Sequence, residues 1–422
     1  MRMPALLLLA SLVVVVAGSS AQARPSVGST AADDVRELGA AIEQFHPEPF
    51  RSVSRQRFRA EVDGLAQRAG SISRNELLVG VLRIIALLGP RNGHTGLFPG
   101  DPTHTRALHL YPVRLYRFAD GVFVVDARDK GLVRSRLVAI EGTSVERVLE
   151  LVEPLTPGDN PTNKRGLSPH FLLTAEVLNG LGIADGAGPA TFTFQRPGGQ
   201  RADVELTPIP GPDYARAFAD PHHGHNPSSL PHAPRPLYLA GSARPMWART
   251  LASGRAVYVG YNSVVPPSSA FVASLERLVR GPKVRRVIVD ARLNGGGDNT
   301  TYGSLTSIFG SPRVDRRGRL YVLIGRATFS AAANFVAELD RDTRAIFVGE
   351  PTGGGVETYG DTVAVSLPTV GWTVRIAGRY HERKRGPRDR RLAVAPNVRV
   401  ELTSTQYFAG RDPLLERALR GL

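Results

Sequence analysis

Apolar residues recur three and four apart over Asp33 to Phe45, Gln56 to Arg68 and Arg74 to Leu88. That spacing predicts three amphipathic helices forming a small bundle. From Leu108 to Pro208 the pattern changes to short strands, among them Gly121-Val122-Phe123-Val124-Val125 and Arg136-Leu137-Val138-Ala139-Ile140. Residues 210–235 are rich in proline, histidine and serine and read as a linker or surface loop. From Pro236 onward strands alternate with helices: Ala256-Val257-Tyr258-Val259-Gly260, then Ser269 to Arg280, then Val287-Ile288-Val289-Asp290. This alternation predicts an α/β layer with parallel strands.

The third of these strands, Leu320-Tyr321-Val322-Leu323-Ile324, leads into Thr328-Phe329-Ser330 and then an alanine-rich helical run from Ala331 to Leu339. Serine caps helices routinely, so Ser330 suits an N-cap. The same position suits a nucleophile, because first-turn N–H groups have no intrahelical partner and can hold a developing oxyanion. The surroundings favour the second role. Asp290-Ala291-Arg292-Leu293-Asn294-Gly295-Gly296-Gly297-Asp298 follows one apolar strand and Gly349-Glu350-Pro351-Thr352-Gly353-Gly354-Gly355 follows another. Both allow close backbone approach. Neither has the lysine and Ser/Thr of a phosphate-binding P-loop, nor the arrangement of a dinucleotide fingerprint.

In this order, Asp290-x-Arg292-x-Asn294-Gly295-Gly296-Gly297, Thr328-Phe329-Ser330-Ala331-Ala332 and Gly349-Glu350-Pro351-Thr352-Gly353-Gly354 resemble the tail-specific, or C-terminal processing, serine peptidases and their tricorn-type relatives. Ala395-Pro396-Asn397-Val398 and Gly410-Arg411-Asp412-Pro413 are similar to that family's closing "PD" strand and "GRDP" helix start. The resemblance implies a ClpP/crotonase-like spiral core, Ser330 as nucleophile, and an oxyanion hole from the N–H of Ala331 and that of Gly296 or Gly297. Arg136 to Gly142, followed by Thr143 to Leu149, resembles a strand and helix of a PDZ-like module, which binds peptide ends by strand addition.

Many members of the family use a Ser-Lys dyad whose lysine stands where this chain has Gly353-Gly354-Gly355-Val356. A neutral serine needs an adjacent base. In the tricorn-type branch that base is a histidine of an N-terminal element, which Asn92-Gly93-His94-Thr95-Gly96 matches. His94 is therefore the expected base, and Asp389, near the closing strand, the expected orienting acid. Glu357 and Asp298, each beside a glycine loop, are its rivals. Asp389 is equally suited to pairing with its arginine neighbours. His222-His223-Gly224-His225 lacks partners at metal-ligand spacing and reads as plain loop, so no metal or cofactor is expected.

The resulting organisation has a signal peptide at 1–23, cleaved after Ala23, and a helical domain at 24–100 carrying His94. A β-rich, PDZ-like region with the Pro/His-rich loop covers 101–235, and the catalytic α/β domain covers 236–422. The apolar stretch from Ala5 to Ala17 is too short for a stable membrane span, and none longer follows. Cysteine is absent, so no disulfide is needed. The net charge of +15 comes almost entirely from arginine, with lysine only at 130, 164, 283 and 384. Such a chain is drawn to polyanions. The arginines are spread along the sequence without interleaved aromatics, so an anionic cell envelope is expected rather than nucleic acid, with a compositional bias toward arginine, alanine and glycine as the equal alternative. Together these features predict a secreted, periplasmic or envelope-associated serine peptidase acting on peptides or proteins. The alternatives are a non-catalytic carrier of apolar ligands or peptides on the same fold, and an esterase-like acyl hydrolase.

Overall fold

The computed structural model describes residues 30–99, 101, 107–218 and 235–421. The expected signal peptide and the His222-His223-Gly224-His225 stretch lie outside the described residues.

The three N-terminal helices run Ala31–Phe45, Arg55–Arg68 and Arg74–Ala86. The first begins earlier than periodicity predicts, because Thr30 and Asp33 form a reciprocal capping box that fixes its start. Ser73 and Glu76 do the same for the third. Next comes an antiparallel sheet with strands ordered Val113–Phe118, Gly121–Ala127, Arg136–Ile140, Ala190–Gln195 and Arg201–Leu206. Ser144 caps the helix Val145–Val152, as the strand-and-helix resemblance implies.

The C-terminal part is a six-stranded sheet ordered Val398–Arg399, Ile346–Gly349, Leu320–Ile324, Arg286–Asp290, Ala256–Tyr261 and Met246–Leu251. The first five are mutually parallel and the last is antiparallel. The fold is therefore α/β, and its central strands are apolar throughout, as expected for strands covered on both faces. Functional groups in such sheets gather where parallel strands end at their carboxyl side. Here that edge carries the loops after Asp290, Ile324 and Gly349.

The packing differs from the sequence boundaries in one respect. A long hairpin, Glu357–Leu367 with Trp372–Glu382, belongs by sequence to the C-terminal region. Its Val365, Leu367, Trp372, Val374 and Ile376 share one apolar core with the N-terminal helices and the middle sheet. Asp34 accepts from the N–H of Val370, and Arg74 donates to the Val370 carbonyl, so the hairpin turn is tied to two helices. Gly96 and Arg375 exchange backbone hydrogen bonds of 2.9 and 3.0 Å, which fastens the His94 loop to the same hairpin.

Candidate active site

Arg292 sits at the centre of a buried network beneath the sheet edge. Its guanidinium meets Asp290 at 2.9 Å and both oxygens of Asp412 at 2.8 and 3.1 Å. Tyr258 donates to Asp290, and the Tyr238 ring lies 4.3 Å from the guanidinium carbon. Burial disfavours the arginine charge, but the two carboxylates outweigh it and hold the cation firmly. The Asp-x-Arg and "GRDP" elements are thus a structural clamp joining the chain end to the sheet. Asn294 continues it: its side chain donates to the Tyr261 carbonyl and accepts from the N–H of Gly296, and its carbonyl accepts from the N–H of Phe329.

That clamp sets the conformation of Ser330. The residue precedes the helix Ala331–Asp342 with φ 51° and ψ −131°, and its side chain makes no capping hydrogen bond. A non-glycine residue at such φ is strained by roughly 1–3 kcal/mol and persists only where its surroundings over-determine it. Thr328 supplies part of that constraint, donating through Oγ1 to the Ala291 carbonyl and accepting from the N–H of Gly325. A plain helix cap would have an extended backbone and a bonded hydroxyl, and Ser330 has neither.

The glycine loop after Asp290 presses against this turn. A side chain at Gly296, φ 112°, would meet Ser330 Cβ at 2.6 Å and the Ala331 nitrogen at 3.0 Å. The Gly296 N–H, one of the expected oxyanion donors, is spent on Asn294. Among the described residues the N–H groups of Gly297 and Ala331 have no acceptor.

His94 reaches the same turn from the N-terminal domain. Its ring stacks on Phe329 with 4.4 Å between centroids and an interplanar angle of 25°. Burial lowers its pKa to about 4, helped by the neighbouring His381 and opposed by Asp361 and the Tyr359 backbone. The imidazole is therefore neutral at pH 7. Its Nδ1 is buried without a hydrogen-bond partner. His381 stands beside it, with Nε2 3.3 Å from Asp361. A Cβ on Gly360 would lie 3.4 Å from His381 Cδ2 and 3.9 Å from His94 Cε1, so both rings converge over that glycine.

The expected acids lie elsewhere. Asp389 accepts from Arg391 Nε and Nη2 at 2.9 and 2.8 Å and from the N–H groups of Arg385 and Arg391. These bonds hold its pKa far below the usual carboxylate range. No carboxylate is hydrogen-bonded to His94 Nδ1, and Asp389 has the arginine-pairing alternative as its place. Glu357 is buried among Arg51, Arg91, Lys384 and Tyr380. Burial pushes its pKa up, but hydrogen bonds from Lys384, Tyr380 and Arg51 prevail and bring it to about 2. Asp298 accepts from the Thr300 N–H and hydroxyl.

The loop where a dyad lysine is expected has no space for one. A Cβ on Gly355 would lie 2.5 Å from the Glu357 carbonyl and 3.1 Å from that of Leu392. Lys384 cannot substitute, because its hydrogen bond to Glu357 raises its pKa and keeps it charged.

Asp159 belongs to the site and escaped the sequence reading. Its Oδ1 accepts from the N–H of Gly93 at 2.7 Å, and its Oδ2 from Thr358 Oγ1 at 2.7 Å and the N–H of Gly355 at 3.2 Å. One buried carboxylate thus joins the His94 loop, the glycine loop after Gly349 and the hairpin. Burial raises its pKa to about 6 against those three donors. His46 supports the same loop through Nε2, 2.6 Å from Asn92 Oδ1. Among the described residues no group of side chains could hold a metal ion.

No protein-family model and no curated protein matches the chain. Solved structures do. Mature CPAF in complex with lactacystin aligns at 14% identity over 92% of this chain and 97% of its own, with a TM-score of 0.60. An alanine mutant of CPAF aligns at 14% over 92% and 95%, also with a TM-score of 0.60, and mature CPAF at 15% over 90% and 94%, with 0.57. This chain is similar to CPAF in fold over nearly its whole length.

Proposed function

We propose that the protein is a serine peptidase acting through an acyl-enzyme. Ser330 Oγ attacks the scissile carbonyl and His94 takes its proton. The resulting oxyanion is held by the N–H groups of Ala331 and Gly297, the leaving amine departs with the proton from His94, and water then hydrolyses the ester. The reading rests on one observation above all: a serine held at φ 51° that caps nothing, preceded by a phenylalanine on which a neutral histidine is stacked. A carrier protein would have no use for that strain. The three motif blocks favour peptide or protein substrates over simple esters, and no cofactor enters the scheme.

A fluorophosphonate probe should modify the folded protein once, on the peptide containing Ser330, as located by mass spectrometry. Absence of an adduct, or an adduct on another serine, would return the chain to the carrier reading. We also propose export with removal of residues 1–23. Protein recovered outside the cytoplasm should begin at Arg24, whereas a chain still starting at Met1 would remove that reading.

A further inference from the structure

The loops that precede the parallel strands lie at the end of the sheet opposite Ser330. There Ala252 to Arg255 leads into one strand, Arg280 to Arg285 into the next and Ser311 to Arg319 into the third. They bring together Arg255, Lys283, Arg285, Arg313, Arg316, Arg317 and Arg319, all exposed except Arg319, which is partly buried. None of the seven forms an ion pair among the described residues. Elsewhere arginines are neutralised in place, as Arg326 is by Glu350 and Arg385 and Arg391 are by Asp340. The carboxylate in these loops, Asp315, accepts from the backbone N–H of Arg344.

Three further observations mark this pole as built for an anion. A concavity of about 420 Å³ is lined by Ser253, Arg255, Lys283 and Arg285. Arg319 Nε is buried with no partner. Burial, and then repulsion from Arg313, Arg316 and Arg285, lowers the pKa of the Arg319 guanidinium. Cations that repel one another are relieved by a counter-charge from outside.

We infer that this pole is the docking surface of the protein on a membrane rich in anionic phospholipid, with the phosphate of a headgroup entering the concavity. A cluster of this size is the usual footprint of anionic-lipid attraction. The three loops contain no aromatic residue, so they lack the stacking platforms of a single-strand nucleic-acid site. They contain no α-helix or β-ribbon, and the single 3-10 turn Ala252–Gly254 is too short to enter a duplex groove. Docking here leaves the Ser330 edge facing away from the lipid.

The test is co-sedimentation of the full chain with vesicles of phosphatidylglycerol mixed with phosphatidylcholine, against vesicles of phosphatidylcholine alone. Binding is expected only to the first, and it should weaken steeply as salt shortens the screening length below about 8 Å. The triple variant Arg285→Glu, Arg316→Glu, Arg317→Glu should bind about a hundredfold more weakly or worse. A control triple, Arg57→Glu, Arg201→Glu, Arg249→Glu, carries the same charge change at scattered exposed sites and should lose far less. Melting temperatures of both variants near wild type establish that each is folded. Equal losses in the two variants, no binding by the wild type, or tighter binding to a DNA duplex than to the anionic vesicles at the same salt would each overturn the assignment.

Discussion

The His94 ring lies against Phe329, 4.4 Å between centroids, and Phe329 is the residue immediately before Ser330. Residues more than two hundred positions apart are thereby held at one turn, and the stack fixes the plane of the imidazole without a hydrogen bond to Nδ1.

Ser330 separates chemistry from stability. Ser330→Ala removes a hydroxyl that makes no capping bond, so hydrolysis should vanish while the melting temperature stays close to wild type. Ser330→Gly should be equally inactive yet more stable than Ser330→Ala by about 1 kcal/mol, because glycine relieves the positive φ. Thermal melts of the two proteins check this, and equal stability would show that the turn carries no strain.

On the proposed mechanism, His94 sets the acid limit of activity. General-base catalysis needs the neutral ring, and with its pKa lowered to about 4 the inflection that belongs to this ring should lie near 4, well below the ordinary histidine value of about 6.5. His94→Ala should cost at least about a hundredfold in kcat. The same shift bears on stability. The unfolded chain takes up its proton near 6.5 and the folded one only near 4, so this group's contribution is present above 6.5 and is lost as pH falls through that window. An inflection near 6.5 that persists in Asp159→Asn would show that the ring is solvated.

Asp159 positions His94 without touching it. Asp159→Ala frees Gly93, Gly355 and Thr358 together, and a displacement of about 1 Å at the base is worth about a hundredfold in rate. The carboxyl, raised to about 6, is neutral below that pH and ionised above it, so the wild-type profile should carry a second inflection near 6. In Asp159→Asn that inflection should disappear while the one near 4 remains. A purely structural aspartate would leave both in place.

Arg292 is the point of failure for the sheet edge. Arg292→Ala leaves Asp290 and Asp412 facing each other in the interior, and breaking a buried pair in this way costs about 3–5 kcal/mol. Chemical denaturation measures it. A loss under about 1 kcal/mol would mean that water replaces the guanidinium.

What was legible in the sequence was local. Helix periods, apolar strands and short motifs declare themselves within a dozen residues, and Ser330 and His94 each lie in such a motif, Thr328-Phe329-Ser330-Ala331-Ala332 and Asn92-Gly93-His94-Thr95-Gly96. Asp159 does not: its partners stand 66, 196 and 199 positions away, and nothing around it in sequence marks it. His381 is likewise invisible until the hairpin register sets it opposite Thr358. Asp389 shows the converse, since adjacency to Arg391 in sequence proved the stronger claim on its charge. The absence of a lysine at Gly355 could be seen in the sequence, but the carbonyl 2.5 Å from any Cβ there could not.

The exchange between Gly96 and Arg375 has a consequence for when the molecule becomes dangerous to its surroundings. The segment with the base and the hairpin that seats it are among the earliest and latest parts of the chain to be synthesised. A growing or partly folded polypeptide therefore carries an idle serine. On the proposed mechanism, hydrolysis by Ser330 and His94 begins only when the first hundred residues meet the last third, so the fold itself times the onset of activity.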